Sequence, residues 1–335
     1  RFIFGYALVA LHNAATRRAM QSVERRLFPM RTIKLGVSDL QVPVIAVGCL
    51  RITRLSQPEA ERFVQTAIEA GANFFDHADK YDDGACEETF ANAIHMNSAI
   101  REKVMIQSKC GIRDGIAFDF SKKHILESVN GSLQRLKTDY LDVLLLHRPD
   151  ALVEPEEVAE AFDILQDSGK VRNFGVSNQN PMQIQLLQKF VKQPIVANQL
   201  QLSITNANMI SQGLHVNMQD EQAVNRDGSV LDFCRLKDIT IQPWSPFQYG
   251  FFDGVFLGSD KYPALNAKID EIAGRYGVSN TTIAMAWLLR HPAQMQPVTG
   301  TMNTQRLLDC VRATDIRLTR EEWYEIYLAA GNILP

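Results

Sequence analysis

The chain has 335 residues, 46% of them hydrophobic, enough for one large α/β barrel or two ordinary domains with a substantial core. A formal net charge of −3 leaves no basic field for a polyanion, so nucleic acid is set aside as a partner. The five cysteines (Cys49, Cys86, Cys110, Cys234 and Cys310) are scattered and form no C-x-x-C pair, which argues for reduced thiols in or near the core of a cytoplasmic protein.

Residues 1–29 read apart from the rest. An apolar run over 2–11 is too short to span a bilayer. Arg17, Arg18, Arg25 and Arg26 follow that run, whereas a secretory signal places its positive charge before it. The segment is read as a leader without fold signals, with Met30 as an alternative start and a mitochondrial-type transit segment as the competing reading. Stable membrane insertion is not expected. Residues 30–335 are read as a single domain.

The pattern from residue 31 alternates short apolar runs with amphipathic stretches. Residues 31–44 read as a hairpin turning at Gly36, followed by an apolar run over 45–50. Ser56-x-x-Glu59, with Pro58 in the first turn, opens a helix that buries Phe63, Val64, Ala67 and Ile68 and stops at Gly71. The unit then repeats: strand 73–76, helix 87–94, strand 104–108, a helix after Ser121, strand 140–146 and a helix ending near Gly169. Strand 171–176 and a helix from Pro181 follow, then strand 195–199, a helix near Leu231, strand 239–242, helix 279–289, strand 296–298 and a helix from Thr304. Thr319-x-x-Glu322 caps one more. Roughly eight alternations in one uninterrupted stretch predict a closed (β/α)8 TIM barrel with an N-terminal hairpin and extra loops at its C-terminal face. The long gap over 203–228, rich in Asn, Gln and Ser, is expected as a loop over the active site. The gap over 246–263 is rich in Gly and aromatics.

In such a barrel chemistry collects at the carboxyl ends of the strands. Asp76 ends the second strand and Tyr81 follows it; Lys109 ends the third and His147 the fourth. Ser177 and Asn178 end the fifth, Gln199 the sixth, Trp244 follows the seventh, and Gly300 and Thr301 follow the eighth. Each alone reads as ordinary loop structure, but barrel geometry converges them on one mouth. A tyrosine near its reference pKa of ~10 is a poor acid, and a neighbouring ammonium lowers that value. Lys109 is expected to supply the charge, Asp76 to hold Lys109, and His147 to donate to a substrate oxygen. No G-x-G-x-x-G follows the first strand, so a nicotinamide cofactor would not bind in Rossmann fashion, and there is no Walker A loop, H-E-x-x-H or zinc spacing.

Five segments carry a family resemblance: Phe75-Asp76-His77-Ala78-Asp79-Lys80-Tyr81, Ile106-Gln107-Ser108-Lys109, Leu145-Leu146-His147-Arg148-Pro149, Gly175-Val176-Ser177-Asn178 and Asn198-Gln199. In this order, each at a predicted strand end, they resemble the aldo-keto reductases over nearly the whole chain. The resemblance implies NADPH-dependent reduction of an aldehyde or ketone, with Asp76, Tyr81, Lys109 and His147 as catalytic residues and Tyr81 as general acid. It implies that Ser177, Asn178 and Gln199 hold the nicotinamide carboxamide, that Trp244 stacks on the ring, and that Ser245 to Phe247 cross the pyrophosphate. Gly300, Thr301, Asn303 and Arg306 match the segment that grips the adenosine phosphate, and the arginine fork favours NADPH over NADH. There are departures. His77 replaces the usual Thr, Gly300 stands where many members have a basic residue, and Asp309 and Cys310 stand where many place Glu-Asn against the adenine. The combination of Asp76-His77-Ala78-Asp79 with Ser108-Lys109-Cys110-Gly111-Ile112 resembles a largely bacterial branch of oxidoreductases whose substrates are poorly defined.

The expected partner is a small-molecule carbonyl compound, and nothing in the sequence reads on oligomeric state. Arg51, Arg148, Phe247 and Tyr249 are candidate pocket walls, from the loops after strands 1, 4, 6 and 7 and the C-terminal tail. Two other readings compete. One is an NADPH-binding redox-sensing regulatory subunit with little turnover. The other is a barrel aldolase using Lys109 as a Schiff-base amine, which would leave Ser177, Asn178, Gln199 and Arg306 without a purpose.

Overall fold

The computed structural model describes residues 30–335, so the leader reading of residues 1–29 lies outside the described residues. A hairpin, β1 (Thr32–Lys34) with β2 (Gln41–Pro43), precedes the barrel. The barrel strands are β3 (Ala46–Gly48), β4 (Phe74–Asp76), β5 (Met105–Cys110), β8 (Leu141–Leu146), β9 (Val171–Ser177), β10 (Ile195–Gln201), β11 (Thr240–Trp244) and β14 (Val298–Thr299). All pair in parallel in chain order, and β14 returns to β3 to close the ring. Two short hairpins are inserted: β6 (Ile112–Arg113) with β7 (Ala117–Phe118) after β5, and β12 (Gln248–Tyr249) with β13 (Gly254–Val255) after β11.

The helices in order are α1 (Gln57–Glu69), α2 (Ala85–Ala93), α3 (Ser98–Arg101), α4 (Lys122–Leu136), α5 (Pro155–Asp167), α6 (Pro181–Gln188) and α7 (Asn208–Leu214). They continue with α8 (Val230–Leu236), α9 (Pro263–Tyr276), α10 (Asn280–Leu289), α11 (Thr304–Arg312) and α12 (Arg320–Ala329). The expected start signals act as read. The Glu59 carboxylate accepts from the Ser56 backbone N–H and hydroxyl, and Thr319 with Glu322 forms a reciprocal box at α12; Asn180 with Gln183 adds an unexpected one at α6. On α1 the expected Phe63, Val64 and Ala67 are buried while Ile68 is half-buried, and on α4 Ile125, Val129, Leu133 and Leu136 are buried while Leu126 is half-buried.

Strand β8 is buried along its whole length, and its one charge is satisfied inside the fold. Asp142 accepts from Arg101 Nη2 at 2.7 Å and from the Ile106 backbone N–H at 2.8 Å, a paired and hydrogen-bonded arrangement that a buried carboxylate requires. Gly175 on β9 lets neighbouring strands approach: a Cβ there would stand 2.5 Å from Leu145 Cδ2 and 2.8 Å from the Ala197 carbonyl. The β1–β2 hairpin closes the amino end. Its turn residue Gly36, at φ +55°, lies against Val196, and its N–H donates to Thr240 Oγ1 at 2.8 Å. That leaves the carboxyl end open.

Two expectations fail. The 203–228 gap is not a bare loop: it contains α7 and a short 3-10 turn at Glu221–Ala223, with Asp220 accepting from Gln222 and Ala223. Helix α9 was not expected at all, although Leu265, Ile269, Ile272 and Ala273 form a buried face.

Candidate active site

The strand-end residues meet at the carboxyl mouth. Lys109 is fully buried, and its ammonium makes three donations: to Asp76 Oδ2 at 2.8 Å, to the His77 carbonyl at 2.7 Å and to the Tyr81 hydroxyl at 2.9 Å. Asp76 Oδ1 accepts from Gln107 at 2.6 Å and Gln199 at 3.0 Å. His147 stands edge-on to Tyr81, with ring centroids 5.9 Å apart, and its Nδ1 is buried without a partner among the described residues.

The electrostatics follow from burial and from Lys109. Burial works against the Lys109 charge, but Asp76 and Tyr81 outweigh it and hold its pKa above the ordinary value, so it is an ammonium. Burial first, then the nearby Lys109 and Arg148, push His147 well below the usual range, so it is neutral. A neutral imidazole keeps one N–H to donate. Tyr81 departs from expectation. Burial raises its pKa more than Lys109 lowers it, with Asp76 adding to the rise. The hydroxyl therefore stays protonated, and the ammonium moderates the rise without producing an acidic phenol.

Ser177, Asn178, Gln199 and Trp244 form one connected rim. Ser177 Oγ donates to the Gln199 carbonyl at 3.0 Å, Asn178 Nδ2 donates to Ser177 Oγ at 2.7 Å, and Trp244 Nε1 donates to Asn178 Oδ1 at 3.1 Å. Asn178 reaches this position at φ +57° and Ser245 at φ +53°, left-handed backbone that marks both as sharp turns at strand ends. Across the mouth, Asn303 Oδ1 caps α11 by accepting from the Arg306 N–H at 2.9 Å.

One cavity of about 740 Å³ joins these groups, within the usual range for small-molecule sites. It is lined by Asp76, Tyr81, His147, Ser177, Asn178, Gln199, Trp244, Ser245, Phe247, Gly300, Thr301, Asn303 and Arg306, while Lys109 lies just behind the wall. Of the candidate walls, Arg51, Arg148 and Phe247 line it. Tyr249 does not; it packs on Tyr262 with centroids 5.3 Å apart. No residue of 203–228 or of the C-terminal tail lines it, so the expectation of a covering loop there is corrected. The loop over the mouth is the β12–β13 insertion, whose Phe252 stacks on Trp244 at 5.8 Å.

Sequence reasoning also missed a ladder of buried glutamines. Gln107 and Gln242 exchange amide hydrogen bonds at 3.0 Å each, and Gln242 donates on to Gln296 at 2.9 Å. Gln107 lies inside β5, Gln242 inside β11 and Gln296 just before β14, so the ladder crosses the barrel interior, and each amide sits in a mostly apolar segment. His77 is fully buried against Phe90, with both ring nitrogens unpartnered, and burial takes its pKa down to about 3. Cys310 is buried and Asp309 stands outside the cavity lining, its carboxylate taken by Gln305 at 3.1 Å. All five cysteines are buried and free.

The described residues hold no cluster of potential metal ligands and no helix long and apolar enough to cross a membrane. A family profile described as "Aldo/keto reductase family" matches residues 44–329. An uncharacterized oxidoreductase of Bacillus subtilis, YcsN, is 34% identical over 91% of this chain and 100% of its own. A 6-dehydroglucose reductase of Agrobacterium fabrum is 32% identical over 89% of this chain and 98% of its own. The crystal structure of a thermostable aldo-keto reductase, Tm1743, with the inhibitor epalrestat is similar at a TM-score of 0.72 and 26% identity, covering 90% of this chain and 100% of that one. The chain therefore belongs to the aldo/keto reductase family and is an NAD(P)H-dependent oxidoreductase.

Proposed function

We propose that the protein reduces an aldehyde or ketone to the alcohol, with Tyr81 as proton donor and NADPH as the preferred reductant. The observation that carries this reading is the three-way grip of Lys109 on Asp76, Tyr81 and the His77 carbonyl at the mouth of a single cavity.

The cavity suits a dinucleotide phosphate. Arg51 and Arg306 line its Gly300–Arg306 side, and its lining carboxylate, Asp76, is already paired with Lys109, so the free charge there is positive. Arg51 Nη1 donates to the Gly300 carbonyl at 3.3 Å and so stands beside the segment proposed to hold phosphate. Arg306, at the capped start of α11, supplies the fork that would separate NADPH from NADH. Trp244 would face the nicotinamide, and Ser177, Asn178 and Gln199 its carboxamide. Ser245 and Phe247 would flank the pyrophosphate, with Gly300, Thr301 and Asn303 along the adenosine end. When bound, NADPH supplies the hydride that forms the new C–H bond at the carbonyl carbon.

The chain's own groups handle the oxygen. As the carbonyl π pair moves to oxygen, that oxygen becomes a strong base. Tyr81, protonated in the buried site, gives it the proton and becomes a phenolate. That charge forms 2.9 Å from the Lys109 ammonium, which Asp76 holds in place. Neutral His147 donates its N–H to the same oxygen. A positioned general acid contributes roughly 10²- to 10⁴-fold, and the remainder comes from fixing donor and acceptor together.

The test is NADPH consumption, followed by loss of dihydronicotinamide absorbance, with an activated aromatic aldehyde. Turnover supports the reductase. NADPH binding without turnover of any aldehyde or ketone would move the weight to the redox-sensing reading.

A further inference from the structure

Arg148 is a charge that the reductase account leaves without a partner. It lines the cavity half-buried, forms no ion pair with any described residue, and lies with its guanidinium carbon 5.6 Å from the centre of the Trp244 ring. Burial withdraws water from it and shifts its pKa down, so the position is costly unless an anion completes it. Its place in the fold separates it from the other cavity arginines. Arg51 is bound to Gly300, and Arg306 starts α11 at the adenosine end. Arg148 directly follows His147, packs on Trp244 and has Tyr81 as its electrostatic neighbour, so it stands at the reacting end. The cavity offers no competing carboxylate there, because Asp76 is spent on Lys109, Gln107 and Gln199.

We infer that Arg148 selects carbonyl substrates bearing an oxyanion, holding a carboxylate or similar group while the carbonyl oxygen sits between Tyr81 and His147. This deepens the reductase reading and rests on it. A guanidinium binds a carboxylate through two parallel N–H donations, and at 5.6 Å from the Trp244 ring centre the Arg148 charge lies within cation–π range of the indole, which helps keep it at the reacting end.

The probe pair is p-carboxybenzaldehyde and its neutral methyl ester, methyl p-formylbenzoate, each reduced with NADPH. The wild type should favour the carboxylate in kcat/KM by about tenfold or more, expressed mainly in KM. Arg148→Gln should reduce that ratio by about tenfold, whatever it does to the ester, and Arg148→Lys should restore part of it. Using the ratio cancels any loss common to both aldehydes. An unchanged ratio in Arg148→Gln, or no preference in the wild type, overturns the inference. So does an equal loss of NADPH affinity in Arg148→Gln, measured by fluorescence quenching, which would assign the arginine to the cofactor. A second readout separates this from failure of the reductase reading: calorimetric binding of p-(hydroxymethyl)benzoate to the NADP-saturated protein. If neither aldehyde turns over but this anion binds the wild type and not Arg148→Gln, the reductase reading falls and the anion site stands. If it does not bind the wild type, the anion site falls.

Discussion

Lys109 shows how one buried charge organises its neighbours. It is surrounded by an anion, a carbonyl and a phenol; after burial, it is the next force pushing His77 and His147 down, and it opposes the rise that burial gives Tyr81. Arg306 is the residue whose effect should divide the two cofactors. Arg306→Ala should raise the Kd for NADPH about tenfold or more, with a much smaller change for NADH, because only the former carries the extra phosphate. Equal changes in both affinities would remove the phosphate contact from the account. The strand-end residues were legible because position in a barrel and chemical type agreed at each one. The Tyr81 shift was not, because a sequence names the ammonium beside a phenol but not how much water is taken away from it. His77 was noticed only as a departure; its burial against Phe90 needed the packing.

Elements with strong start signals were legible for the same local reason: a cap and a periodic face speak within a few residues. Helix α9 was passed over because its apolar positions are diluted by Asn266, Lys268, Asp270, Glu271 and Gly274 and follow a segment dominated by glycine and aromatics. Helix α7 is short and polar, and its context is tertiary: Ser211 reaches the Tyr327 hydroxyl at 2.8 Å on α12. Helix α12 is itself fastened to α10 by two tryptophans. Trp287 and Trp323 stack at 4.7 Å, and each indole N–H donates to the other's carbonyl at 3.0 Å. Trp323→Phe removes one donor and leaves the buried Trp287 carbonyl unpaired, which should cost about 2 kcal/mol. Urea denaturation should show the lower midpoint, with kcat retained because the pair lies outside the cavity lining. An unaltered midpoint would mean the stack contributes nothing net.

Across the whole molecule, burial of titratable groups sets an acid limit. Burial holds His77 at about 3, His291 at about 4 and His147 well below its usual value, so all three are neutral in the fold. Unfolding returns them to about 6.5. Their contribution is fully present above that value and is lost as the pH falls toward the native one. Asp79 acts oppositely: burial lifts it to about 6, so its contribution is present at low pH and lost as pH rises through that value. Near pH 5 the unfolded chain binds two protons on His77 and His291 against one on native Asp79, a net one, so these groups alone should make stability fall by about 1.4 kcal/mol per pH unit, and His147 acts in the same direction. Denaturant midpoints measured across this range check the slope, and a flat profile would contradict it. Asp79→Asn should raise the midpoint above pH 7 and steepen the acid loss. The barrel itself was legible from its alternation, whereas which loop covers its mouth was not. Loop length pointed to 203–228, but the aromatic contact between Phe252 and Trp244 places the β12–β13 insertion there.

The most direct test of the central claim compares wild type with Tyr81→Phe in NADPH-dependent reduction of an aromatic aldehyde, with NADPH affinity measured on both. The substitution removes the transferable proton and very little binding surface. The account predicts that kcat falls by about 10² or more while the Kd for NADPH stays within a few-fold. Near-native turnover by Tyr81→Phe would contradict it and would mean the proton comes from elsewhere.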